Sequence, residues 1–170
     1  MKKHPVLSAS LLMMSGLLCS ACSEDDNKPK HIIDPPLSVV NVQYNLDYSA
    51  DMAECMNLTV SYVVSSSDTV SETVTSLPWT KSFTTGDVHI LPSLTVTYSR
   101  KPYATFDKEQ YTFTGHLSIS AGFNSEPSKH TQNSSFQRAI KNTADNLNQF
   151  FTMMEQHPDT LNLSLTDTAQ

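Results

Sequence analysis

Glycine and cysteine are scarce in this chain of 170 residues, with four and three copies, and tryptophan occurs once. So few glycines leave little material for a phosphate-cradling loop or a G-x-S-x-G nucleophile elbow, and neither pattern is present. No H-E-x-x-H pair or Ca²⁺ loop occurs either. His31, His89, His116, His130 and His157 are scattered without metal-ligand spacing, so no metal or cofactor is expected. Asp107 and Glu109 read as a solvated turn, because nothing near them in sequence would raise one carboxyl selectively, and no enzyme activity is expected. Cations are short too: 11 Lys and Arg against 17 Asp and Glu leave a formal charge of −6. A nucleic-acid binder would need a basic patch or stripe, and the sequence has none. The longest mainly apolar run, Val6 to Leu18, spans 13 residues, fewer than the roughly 20 a membrane-spanning helix requires. Serine and threonine are abundant, at 41 residues together. A hydrophobic share of 38% and a mean hydropathy of −0.31 describe one globular domain.

The beginning of the chain carries an address. Lys2 and Lys3, the apolar run, and the small residues Cys19-Ser20-Ala21 ahead of Cys22 follow the order of a secretory signal. A small-residue tripeptide ending at a cysteine resembles the bacterial lipobox, in which the thiol is acylated before cleavage ahead of it. The resemblance implies a signal peptide over 1–21, a lipidated Cys22 at the mature terminus, and a membrane partner reached through its acyl chains. The usual Leu three positions before the cysteine is Cys19 here, with Leu18 one step earlier, which leaves Cys19 as the second candidate. The run Ser23-Glu24-Asp25-Asp26 is similar to the export signal of surface lipoproteins in Bacteroidota, and implies an outer-membrane protein facing the exterior. Residues 22–36, with Pro29, Pro35 and Pro36, read as an acidic tether, extended by its like charges. With Cys19 and Cys22 accounted for, Cys55 is the remaining thiol and no intrachain disulfide is expected. It reads as a small buried residue at a strand entrance.

Residues 37–170 read as a single β-rich domain. Val40, Val42, Tyr44, Leu46 and Tyr48 alternate with polar residues, and so do Met56, Leu58, Val60, Tyr62 and Val64. Ser65 to Asp68 and Gly86-Asp87 supply turn chemistry. Weaker runs surround Val70 and Phe83. Leu94, Val96 and Tyr98 alternate again, and Tyr111, Phe113, Leu117, Ile119, Ala121 and Phe123 form the strongest stripe. These runs predict a mainly β fold, an antiparallel Ig-like β-sandwich of about seven strands. After Ser125 the period changes. Ser134 with Gln137 reads as a capping box, and Phe136, Ile140, Leu147, Phe150, Phe151 and Met154 follow at helical spacing until Pro158. An amphipathic helix over about 134–156, near 35 Å long, is predicted to cover the β core, with a partner-docking face as the other reading. Leu161, Leu163 and Leu165 predict a short final strand.

Two features stand out from this frame. Tyr98 to Tyr111 mixes aromatics with cations in an acidic chain. Arg100, Lys101, Tyr103 and Phe106 are therefore candidate ligand contacts, or part of a hairpin connection whose rings tuck into the core. Asp68-Thr69-Val70, Asp159-Thr160-Leu161 and Asp167-Thr168-Ala169 resemble the sites at which Bacteroidota attach O-glycans, which makes Thr69, Thr160 and Thr168 candidate acceptors. The whole order is similar to small surface lipoproteins of Bacteroidota, whose domains are commonly small β-sandwiches. The expected function is a non-catalytic binding or structural module whose partner is a glycan or another envelope protein. A calycin-like carrier with an empty apolar interior is the alternative, and an enzyme assembled from separate strands the third reading.

Overall fold

Alternation decides the first sheet. In β1 (Val40–Tyr48) the five apolar and tyrosyl positions are buried, while the residues between them are exposed or half-buried. The computed structural model describes residues 38–165. After β1 come α1 (Ala50–Cys55), β2 (Met56–Ser65), β3 (Asp68–Thr73), β4 (Trp79–Thr85), β5 (Ser93–Arg100) and β6 (Gln110–Phe123). The described chain closes with β7 (His130–Lys141), α2 (Ala144–Gln156) and β8 (Asp159–Asn162). Two antiparallel sheets of four strands, in the orders β4-β1-β6-β7 and β3-β2-β5-β8, form a sandwich-like arrangement. The mainly β fold is thus as predicted, with eight strands in place of about seven.

The core lies between the sheets. Tyr44, Leu46, Leu117 and Ile119 of one sheet and Val60, Tyr62, Leu94 and Val96 of the other are all at most 2% exposed. Each such side chain contributes roughly 1.5 to 3 kcal/mol when fully buried. The outward positions are uncharged for long stretches. Ser82, Gln43, Ser120 and Thr131 make one cross-strand row, and Thr80, Asn45, Ser118 and Asn133 the next. Here the abundant hydroxyls and amides bond across strands, as in Asn45 Nδ2 to Ser118 Oγ at 3.0 Å and Thr80 Oγ1 to Asn45 Oδ1 at 3.1 Å. Trp79 is half-buried at the rim, with its ring against Tyr62 and its Nε1 donating to Glu72 at 2.9 Å. It follows a cis Leu77–Pro78 bond.

The helix predicted over 134–156 is corrected at its start. Ser134 and Gln137 lie inside β7, which pairs with β6 residue for residue from His130↔Ala121 to Lys141↔Gln110. The real cap is Thr143, whose hydroxyl accepts from Asn146 N at 3.3 Å. The helix has 13 residues, about 20 Å. A separation of four places Phe136 and Ile140 on one face of a helix and equally on one face of a strand, and β6 supplies the pairing that selects the strand. Both rings of the misread segment's apolar end do pack inward: Phe150 and Phe151 are buried with Leu147 and Met154, whereas Phe136 and Ile140 are half-buried. α2 touches β5 of one sheet and β7 of the other, and Phe150 stacks on Phe113 of β6 with centroids 4.3 Å apart.

Helix α1 was not foreseen. Ser49 caps it by accepting from Met52 N at 3.3 Å, and Met52 and Cys55 turn inward. Cys55 is free and buried directly ahead of β2, as expected. Burial, with Asp51 and Glu54 nearby, pushes its thiol up.

Candidate functional site

Cys22, Ser23, Glu24, Asp25, Asp26 and Thr168, with the signal and tether over 1–36, lie outside the described residues. Thr69 on β3 and Thr160 on β8 are both exposed, at opposite edges of the same sheet. Thr160 exchanges a hydroxyl hydrogen bond of 3.2 Å with Thr95.

The four candidate ligand contacts, at the end of β5 and in the segment that follows, are divided by the fold. The Arg100 amide donates to Glu155 and its Nη1 to Asn148, both at 2.7 Å, while its guanidinium lies over Phe106 and Phe151. Arg100 therefore fastens α2 to the end of β5. Lys101 Nζ donates to the Ala53 carbonyl at 2.6 Å, on α1. Phe106 tucks against Tyr111 and Phe151. Tyr103 does not tuck and is 92% exposed. Nearby, Lys108 Nζ bonds Asp51 at 2.6 Å and Glu54 at 3.0 Å. Burial opposes ionisation of Asp51, but the Lys108 ammonium and the Thr112 amide outweigh it and hold the carboxyl below its usual range.

A second polar cluster spans the two sheets. Asp159 opens β8 and, paired with Val96 of β5, faces inward. Tyr98 Oη donates to its Oδ2, and Tyr48 Oη shares a proton between Tyr98 Oη and the same carboxylate oxygen, 3.2 Å away. Burial pushes both phenols well above their ordinary range, and the Asp159 carboxylate adds to it. The Tyr48 ring fits there because Gly115 stands opposite: a Cβ on that residue would run into the rings of Tyr48 and Phe136.

Beside this cluster a groove runs between β7 and α2. One hollow of about 270 Å³ is lined by Phe136, Arg138, Phe150, Met153, Met154, His157 and the edge of Asp159. A second, of about 460 Å³, lies on the other side of Arg138, between Ile140 and Lys141 of β7 and Asn146, Gln149 and Met153 of α2. The floor is apolar, and Met153 is 42% exposed. The ion pairs among the described residues involve Lys81 and Lys108, and leave Arg138 and Lys141 without a carboxylate. Arg138 Nη1 donates only to the Gln137 carbonyl, at 3.2 Å. The sequence reading missed this groove because it placed β7 in the helix, and the spacing of Phe136 and Ile140 holds no signal that would separate the two, since pairing with β6 decides it.

Among the described residues no three His, Cys, Asp or Glu side chains are placed to hold a metal ion, and no helix is long and apolar enough to cross a membrane. No family model, curated protein or solved structure matches the chain.

Proposed function

We propose that the chain is a lipid-anchored lipoprotein of the cell envelope, on the outer membrane and facing outward, whose sandwich serves as a non-catalytic binding module. The groove between β7 and α2 carries the binding role: an apolar floor beside Arg138 and Lys141, which have no ion-pair partner among the described residues, is a built recess in an acidic chain. A polar cluster borders it, but Asp159 already accepts from two buried phenols, which suits a tie between strands better than acid–base chemistry. A carrier of the calycin kind needs an empty interior, whereas the inward residues of both sheets pack on one another. Anchorage rests on Cys19-Ser20-Ala21-Cys22 behind the apolar run, and orientation on Glu24, Asp25 and Asp26. Two or three acyl chains, at about 0.8 kcal/mol per buried CH₂, overcome any repulsion between an acidic domain and an anionic membrane.

Full-length Cys22→Ala, expressed with Cys19 intact, tests the anchor. Loss of the acyl mass and of detergent partitioning is expected. Retention of both moves the lipid to Cys19, and absence of acylation in the unaltered chain overturns the lipoprotein reading.

A further inference from the structure

We infer that the occupant of the groove is an extended acidic peptide of a partner protein, which adds as a strand to the edge of β7 that no described strand occupies. This rests on the groove being the binding site proposed above.

The edge is the first observation. Four strands lie at sheet edges: β4, β7, β3 and β8. Edge strands of soluble proteins are usually guarded by charge, proline, a bulge or brevity, because a bare edge recruits other strands. β8 has only four residues, β4 carries Lys81, and β3 carries Asp68 and Glu72 with a register shift at its start. β7 runs for 12 residues in unbroken register with β6. From Thr131 to Gln137 it holds neither charge nor proline, and its two cations, Arg138 and Lys141, fall within its last four residues.

Spacing is the second observation. Phe136, Arg138 and Ile140 share one face of β7, since they pair with Gly115, Phe113 and Tyr111. The two hollows are bordered by Phe136 and Arg138 in one case, and by Arg138 and Ile140 in the other. Their offset is therefore one strand period, roughly 6.6 Å, which is the separation of side chains i and i+2 on an added strand. Main-chain bonds to the edge would supply affinity and the alternate side chains specificity. Met153 and Met154 in the walls adapt to varied apolar groups.

Charge selects the occupant. Arg138 borders the second hollow from the inward face of β7 without an ion-pair partner among the described residues, and a carboxylate at a neighbouring inward position of the peptide would complete it, while Lys141, on the opposite face of the strand, adds positive charge at the same end. A second copy of this chain fits worse, because its β7 would bring the same two cations and place Gln132 or Ser134 where apolar groups are wanted.

The test uses the full-length protein and the capped heptapeptide Glu-Thr-Leu-Thr-Leu-Thr-Glu, with a version carrying Lys for both Glu as control. The acidic peptide should shift the Met153 methyl resonance, slow hydrogen exchange of β7 amides, and bind at least about tenfold more tightly than its Lys counterpart. Arg138→Glu, an exposed change, should reverse that preference. Equal binding of both peptides, or a methyl shift without amide protection, overturns the inference. A peptide-free dimer with protected β7 amides assigns the edge to a second copy and also overturns it. If sodium decanoate fills the groove and the peptide does not, strand addition falls while the groove's binding role stands. If neither probe binds, both fall.

Discussion

Gly115 interrupts the apolar stripe of β6 between Phe113 and Leu117, and the gap is occupied by a neighbour's ring. Tyr48 leans into it, and only from there does its hydroxyl reach Tyr98 and Asp159. Gly115→Ala should therefore cost about 1 to 3 kcal/mol, as overpacked cores do. Its denaturant midpoint should fall accordingly, and a midpoint equal to wild type would mean that the rings yield freely. A glycine within a strand signals a close approach, so the site was half legible: the gap shows in the sequence, the ring that fills it does not. Asp159 was less legible still. In sequence it belongs to an Asp-Thr-Leu that resembles a glycan-acceptor site, and its inward aim follows from pairing with Val96, more than sixty residues earlier.

Among the elements, α2 and β7 are the instructive pair. Leu147 is 3% exposed on α2, so Leu147→Ala should cost on the order of 2 to 5 kcal/mol through lost transfer energy and a cavity. Ile140→Ala, at a half-buried position of β7, should cost clearly less. Chemical denaturation of the two variants separates them, and equal losses would contradict the boundary between strand and helix at Asn142-Thr143. Alternation made β1, β2, β5 and β6 readable, because each buries one face and wets the other. β7 lacks that contrast. At the sheet edge even its inward Gln132 and Ser134 remain exposed, leaving Phe136 and Ile140 as the whole pattern. α1 escaped notice for another reason: six residues make too few turns for a period, and Met52 and Cys55 are its entire apolar face.

For the molecule as a whole, buried phenols set the behaviour in alkali. Burial pushes Tyr44 from 10.0 up to about 12, and Tyr48 and Tyr98 further. The folded state favours the protonated form, so this stabilisation is complete below the unfolded value of 10.0 and is lost as pH rises through 12 and beyond. Stability against urea should stay level from neutral pH to about 10 and then decline. The double variant Tyr48→Phe with Tyr98→Phe should show a shallower decline, and an identical slope would exclude these two phenols as its source. The layering into two sheets was readable from the alternating runs, whereas the way each sheet is completed was not. β8, the last of the described strands, docks on β5, with Thr95 and Thr160 separated by 65 positions. A chain emerging from its N-terminus therefore shows β5 as an open edge, and leaves the hydroxyls of Tyr48 and Tyr98 without their carboxylate, until the final described strand arrives. Closure is one late step that must first overcome the entropy of a long loop, and folds dominated by such distant pairings take milliseconds to seconds. That interval is the time in which a chaperone can hold the unfinished domain.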